Sequence, residues 1–350
     1  MKALGQLDFK SNAIGFLRLL LAVIVVWSHS FSIGQFGYRN FDPISSWSHW
    51  QFTAGELAVG GFFTLSGFLI TRSREHLDST TFLWHRILRI FPGFWVCLIV
   101  TAFVLVPIAY AHEFGTLHGY LRLDPWLYVL KNASLVTVQT SIGNIGSNDF
   151  INQSLWTLQW EFICYLMASI IIGSSTAPWR LRIVAIGTAS VMLTIAILIV
   201  TVPDAAYGQI NTLVLFLYFG CGSLAYLTRD RVPMRWWIVA AAVVATIATG
   251  PTPAWRVVAP PCIAYLALFA AANLPIKGFD RKVDLSYGIY IYAFPLQVLL
   301  FTFGCNTWGF VPYFALSLAV STVAAYLSWT FVERPALSLK ALHSVSSGEL

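Results

Sequence analysis

Apolar stretches recur along the chain between short polar interruptions. Ten of them approach the length of a membrane-crossing helix: residues 13–33, 55–71, 88–110, 154–173, 183–203, 210–228, 236–250, 257–274, 285–304 and 311–332. A helix needs about 20 mostly apolar residues to cross roughly 30 Å of hydrocarbon, and 55–71 and 236–250 are short by that measure. The first run follows Lys2 and Lys10 and so imitates a signal peptide, but no small-residue cleavage pattern follows it. It reads as a retained first span. The pattern predicts an all-α, polytopic integral membrane protein with about ten transmembrane helices. It predicts one transmembrane domain over residues 1–350, with its core at 10–340 and no appended soluble domain. The longest interruption, 111–153, carries an apolar piece at Pro125–Val138 that reads as a short interfacial or re-entrant helix, then a polar stretch at Gly143–Asp149.

Composition agrees with the pattern. The chain is 57% hydrophobic and 10% charged, with mean hydropathy +0.71, against about 45–50% and 25% in soluble domains. A soluble enzyme and a disordered chain are both excluded. The five cysteines form no C-x-x-C pair and read as small buried hydrophobes. With an even number of spans both termini share one side. Sixteen of the 21 Lys and Arg then fall on that side, while Arg39, Arg122, Lys131 and Arg256 fall opposite and Arg18 lies within the first span. The positive-inside rule therefore predicts cytoplasmic N and C termini and an exterior 111–153 loop. The net charge of +6 reflects this topology together with contact with anionic lipid headgroups or an anionic ligand. The cations are too dispersed for nucleic-acid binding. Asn132-Ala-Ser and Asn152-Gln-Ser match the glycosylation pattern, and several of the 14 Trp suit interfacial belts.

Ionisable groups within spans are costly and are candidates for function. Arg18 and His29 are eleven residues apart on the first span. That spacing is about three helical turns and places both on one face, about 16.5 Å apart in height. Snorkelling explains Arg18, and a packing or interfacial role explains His29, if each is taken alone. In the second span Gly60, Thr64, Gly67 and Thr71 make a small-residue face. It suits close helix packing or passage of a ligand chain. Arg86 and Arg89, one turn apart before Pro92, either obey the positive-inside rule or grip a phosphate. His85 beside them suggests no metal site. Thr157, Glu161 and Tyr165 make a polar line on the fourth span, at a depth comparable with His29. Pro295 should kink the ninth span and free a carbonyl. Glu333 and Arg334 read as a helix-end charge pair.

Ordered motifs then give a resemblance over residues 10–340. They are Arg18-x10-His29, Gly61-Phe62-Phe63-x-x-Ser66-Gly67-Phe68-x-Ile70, Arg86-x-x-Arg89-Ile90-x-Pro92, Trp156-x-Leu158-x-x-Glu161-x-x-x-Tyr165, Ser286-Tyr287-Gly288-Ile289-Tyr290 and Glu333-Arg334-Pro335. The chain resembles the membrane acyltransferase family 3, integral-membrane enzymes that O-acylate sugars of bacterial surface polysaccharides and related glycans. The resemblance implies acyl-CoA, acetyl-CoA in the first instance, as co-substrate with no permanently bound cofactor. It also implies a glycan or lipid-linked glycan acceptor and residence in the bacterial cytoplasmic (inner) membrane. Arg18 and His29 match the family's essential pair, Arg86 and Arg89 its cytoplasmic arginines for the nucleotide phosphates, and Glu161 its membrane glutamate. Many relatives carry a histidine where Ala293 stands here, so a two-histidine mechanism is not expected of this chain.

On this reading His29 is the general base for a sugar hydroxyl, and Glu161 or the backbone holds its tautomer. Arg72 and Arg74 add potential for the donor, Tyr290 offers a hydroxyl to the oxyanion, and Ser66 lies along the donor arm. Trp156 and Tyr165 line the acceptor. The rival classes are a transporter or flippase of lipid-linked sugars and a non-catalytic subunit of a polysaccharide assembly complex. Neither requires thioester consumption. The acceptor, the acyl chain and the oligomeric state are not legible.

Overall fold

The computed structural model describes residues 4–9, 11–143, 150–173, 179–201, 207–276 and 283–340. Lys2, Lys10, Lys277, Arg281 and Lys282, which entered the charge count, and most of Gly143–Asp149 lie outside the described residues. The described residues are helical, with no strand among them. In chain order the first helices are α1 (Ile14–Gly34), α2 (Pro43–Trp47), α3 (Ala54–His76), α4 (Ser79–Val100), α5 (Val106–Phe114) and α6 (Pro125–Asn132). Then come α7 (Trp156–Ile171), α8 (Trp179–Thr201), α9 (Tyr207–Leu227), α10 (Trp236–Thr249) and α11 (Trp255–Asn273). The last three are α12 (Ser286–Thr302), α13 (Phe310–Ser328) and α14 (Arg334–Ser338). π-helical turns at Thr101–Leu105 and Trp329–Glu333 join α4 to α5 and α13 to α14.

Seven helical stretches among the described residues are long and apolar enough to cross a membrane: Ile14–Gly34, Ala54–His76, Ser79–Phe114, Trp179–Thr201, Ile210–Leu227, Trp255–Asn273 and Phe310–Ser338. The chain is thus an all-α, polytopic membrane protein. Three of the ten expected runs form shorter helices of 16, 14 and 17 residues, α7, α10 and α12. At 1.5 Å per residue these reach about 21–26 Å, less than the hydrocarbon thickness.

The chain divides into two compact units. The first comprises Met1–Leu21, Ile44–Leu83 and Trp160–Lys282. Its α3 starts at a capping box, in which Thr53 Oγ1 accepts from Glu56 N at 3.0 Å and Glu56 Oε2 accepts from Thr53 N at 2.9 Å. The small-residue face of α3 is a packing seam. A Cβ on Gly67 would lie 2.1 Å from the Phe219 carbonyl oxygen, and one on Gly222 would lie 2.1 Å from that of Thr64. Tyr218 closes over Gly60, and Thr64 and Thr71 are fully buried. Backbone approach between α3 and α9 therefore uses up this face, and the ligand-passage alternative has no room there.

The second unit comprises Ala22–Pro43, Trp84–Gln159 and Val283–Leu350. Pro295 sits inside α12 and cannot donate to Ile291 O. That carbonyl instead accepts from Asn152 Nδ2 at 2.8 Å and Cys97 Sγ at 3.3 Å, which is the freed acceptor expected from the sequence. Asn152, in one of the two Asn-x-Ser matches, is buried with its amide engaged. Asn132 is likewise buried and donates to Gln139 O at 2.8 Å. The piece expected at Pro125–Val138 forms α6, which exposes Trp126 and Leu130. All five cysteines are free.

Candidate active site

His29 belongs to the second unit. Its neighbours on α1 are held tightly. Ser28 Oγ donates to the buried Asp42 carboxylate at 2.5 Å. Ser30 Oγ donates to Val26 O at 2.8 Å. From α12, the fully buried Gln297 donates its Nε2 to Val26 O at 3.0 Å and to Ser30 Oγ at 2.8 Å. The His29 ring packs edge-on to Phe294, centroids 5.1 Å apart. The residue is half-buried. Its Nδ1 is closed off from solvent and has no hydrogen-bond partner among the described residues, so no bond there fixes the tautomer. The imidazole is held by packing and by a braced backbone.

Tyr290 and Thr157 are joined in the same unit by a hydroxyl–hydroxyl bond of 2.5 Å, and Thr157 Oγ1 donates to Ser154 O at 3.3 Å. The Tyr290 hydroxyl, expected to meet an oxyanion, makes this helix contact. Trp156 opens α7, half-buried.

The arginine pair divides in role. Arg89 Nη2 meets Asp284 Oδ2 at 2.5 Å and Arg89 Nη1 lies 3.7 Å from Glu333 Oε2, with Tyr287 under the guanidinium at 5.5 Å. Glu333 is 2% exposed and also accepts from Ser328 at 2.9 Å. This corrects the reading of Glu333 and Arg334 as a helix-end pair: the π-helical turn directs Glu333 inward to Arg89. Arg86, one turn earlier, is half-buried. Trp84 Nε1 donates to Leu339 O at 3.5 Å, bringing the end of α14 to the start of α4. Burial, Arg86 and Arg89 together push the Lys340 ammonium down to about 8. Like charges gathered at one place favour an anion among them.

The remaining predicted residues lie in the first unit. Ser66, Glu161 and Tyr165 come together: Tyr165 OH donates to Glu161 Oε1 at 2.5 Å, and Ser66 Oγ reaches the same oxygen at 3.1 Å. The carboxylate is thereby held in one orientation by two hydroxyls. Arg18 is half-buried on the first turns of α1. Arg72 stacks on Phe9, 3.9 Å to the ring centroid.

Sequence reasoning missed Asp42, Gln297, Asp284 and Lys340. Asp42 and Asp284 lie beside spans rather than within them. Gln297 is neutral and escaped a search for charge. Lys340 passed as one more positive-inside cation.

The sequence profile described as "Acyltransferase domain" matches residues 11–330. An "O-acetyl transferase" of Shigella phage Sf6 is 27% identical over 343 residues, 93% of this chain and 96% of that protein. "Nodulation protein 10" of Rhizobium leguminosarum bv. viciae is 27% identical over 357 residues, 94% of each chain. No solved structure matches.

Proposed function

The chain belongs to the acyltransferase family, and from that premise we propose that it moves an acyl group, acetyl in the first instance, from acyl-CoA to a hydroxyl of a glycan. The acceptor is a surface polysaccharide, an exopolysaccharide or a lipid-linked oligosaccharide, and the site of action is the bacterial inner membrane. Acyl-CoA is a co-substrate and there is no resident cofactor. The observation that carries the reading is the His29 imidazole: half-buried on a membrane helix, braced by Ser28, Ser30 and Gln297, and unpartnered at Nδ1. The name of the phage relative supports acetyl transfer to oxygen.

His29 takes the proton of the acceptor hydroxyl as that oxygen attacks the thioester carbonyl. A tetrahedral oxyanion forms, the C–S bond breaks, and the imidazolium returns the proton to the departing CoA thiolate. Charge balances at each stage, and an ester and free CoA are the products. Arg86 and Lys340 attract the donor's phosphates, and Arg89 fixes the turn that presents them. Trp156 offers an aromatic face to a sugar ring.

Purified protein with radiolabelled acetyl-CoA and a glycan acceptor tests this. Loss of a general base costs about 10²–10⁴-fold in rate, so His29→Ala should fall by that factor with donor binding retained. Transfer by His29→Ala at the parent rate would remove the assignment.

A further inference from the structure

Beyond the acyl-transfer reading, and independent of it, the first unit holds two buried guanidiniums whose charges repel each other, Arg74 at the end of α3 and Arg180 in the first turn of α8. Arg74 is 6% exposed and Arg180 2%. Arg74 donates from Nε to Ser169 O at 3.1 Å, from Nη1 to Leu77 O at 2.6 Å and from Nη2 to Ser79 Oγ at 2.6 Å. Each of those acceptors is neutral. Among the described residues the carboxylate that attracts Arg74 is Asp78. It is occupied at the head of α4, where Oδ1 accepts from Thr80 N at 2.9 Å, Thr80 Oγ1 at 2.5 Å and Thr81 N at 3.0 Å. Those bonds hold its carboxyl well below the ordinary range. Arg180 makes no ion pair among the described residues, and its Nε and Nη2 are buried without a hydrogen-bond partner.

A guanidinium cannot shed its proton to escape burial, and an unpaired buried charge is among the costliest features a fold can carry. Two of them together, with one carboxylate acting on Arg74 and no ion pair at Arg180 among the described residues, leave positive charge in excess. The start of α8 adds the positive end of a helix dipole at the same place. We propose that Arg74 and Arg180 form an anion site for a phosphate ester group, held by the planar fork of Arg180 and by the hydrogens that Arg74 does not spend on Ser169, Leu77 and Ser79. Phosphate oxygens match a guanidinium fork in two-point contact, and a chloride ion does not. The ester can come from an anionic phospholipid headgroup or from a nucleotide such as CoA, and the two sources separate experimentally.

The full chain is placed in phosphatidylcholine nanodiscs, and its thermal unfolding midpoint is followed with three probes: phosphatidylglycerol in the disc, CoA in solution and inorganic phosphate in solution. The parent should be stabilised by at least one probe, and which one identifies the source. Arg180→Met should unfold at a higher temperature than the parent in phosphatidylcholine alone, because an unanswered buried charge is gone, and should lose the probe's stabilisation. Arg182→Ala, which removes an exposed cation two residues away, should keep it. Should Arg180→Met fail to fold, Arg180→Lys carries the test, since it retains charge but not the fork and should bind the probe about tenfold more weakly. The proposal is overturned if no probe stabilises the parent, or if the Arg180 variant responds to the probes as the parent does. Failure of acyl transfer would touch neither result.

Discussion

Arg89 and Arg86 are one turn apart, yet their substitutions should have different signatures. Arg89→Met leaves Asp284 and Glu333 without their cation. The side chains are 15%, 14% and 2% exposed respectively, so solvent compensates little. Removing one partner of a buried pair costs about 3–5 kcal/mol. Here Asp284 keeps Ser286 Oγ at 2.6 Å and Glu333 keeps Ser328 Oγ at 2.9 Å, which points to the lower end, about 3 kcal/mol. Arg86→Met, half-exposed, should change stability by less than about 1 kcal/mol but raise the donor KM about tenfold, equivalent to about 1.4 kcal/mol of binding. Thermal unfolding of purified variants, set beside KM for acetyl-CoA, separates the two roles. Adding Glu333→Gln to Arg89→Met should restore part of the loss, because a buried uncompensated carboxylate is neutralised; a coupling of about 0.5–3 kcal/mol is expected for residues in contact. If Arg89→Met is as stable as the parent and raises KM as Arg86→Met does, the anchoring role is wrong and the pair acts as one clamp.

Lys340 gives a pH dependence whose sign follows from its environment. Burial and the neighbouring Arg86 and Arg89 lower its ammonium to about 8 in the ligand-free protein, and a bound phosphate favours the charged form, so binding takes up a proton. Donor affinity should be level below pH 8 and fall above it, by up to about tenfold per pH unit. Calorimetry of CoA binding in buffers of different ionisation enthalpy reads that proton directly, and Lys340→Met should flatten the profile; an unchanged profile removes Lys340 from the site. Gly67→Ala should destabilise by about 1–3 kcal/mol, because the added carbon meets the Phe219 carbonyl rather than a movable side-chain tip. A parent-like unfolding midpoint would show that α3 and α9 can separate at no cost.

The spans were legible because a membrane helix must bury its backbone bonds within apolar sequence, and α1, α3 and α13 follow the hydrophobic pattern closely. Pro295 announced its freed carbonyl, since a proline lacks an amide wherever it sits, though nothing local named Asn152 and Cys97 as the groups that answer it. The Ser66–Glu161–Tyr165 cluster was half legible. Glu161 and Tyr165 are one turn apart on α7, whereas Ser66 is distant in sequence and reaches them only through packing. Glu333 was misread for a definite reason. An α-helical projection sets it beside Arg334, and the π-helical turn at Trp329–Glu333 rotates it inward. Such turns leave no hydropathy signal. Arg180 was read as a loop cation because position relative to a span predicts sidedness, not whether the side chain is covered.

The polar groups of the second unit can be sorted by what their hydrogen-bonding capacity is spent on, and the sorting bears on where chemistry happens. Arg89 is occupied by two carboxylates, Tyr290 by Thr157, Asp42 by Ser28 and Asn152 by a proline-freed carbonyl. Each of these contacts joins separate segments, so each residue is explained by the architecture it holds. His29 differs. Its backbone neighbours carry the structural bonds, through Ser28, Ser30 and Gln297, while its ring contributes an edge contact to Phe294 and keeps a nitrogen unspent. A group that must gain and lose a proton during turnover cannot also be the bond that holds two helices together, since the fold would loosen with each change of charge. Assigning the scaffold to the flanking residues and leaving the imidazole uncommitted meets that requirement, and it predicts that Gln297→Met slows transfer by displacing His29, although residue 297 is itself fully buried.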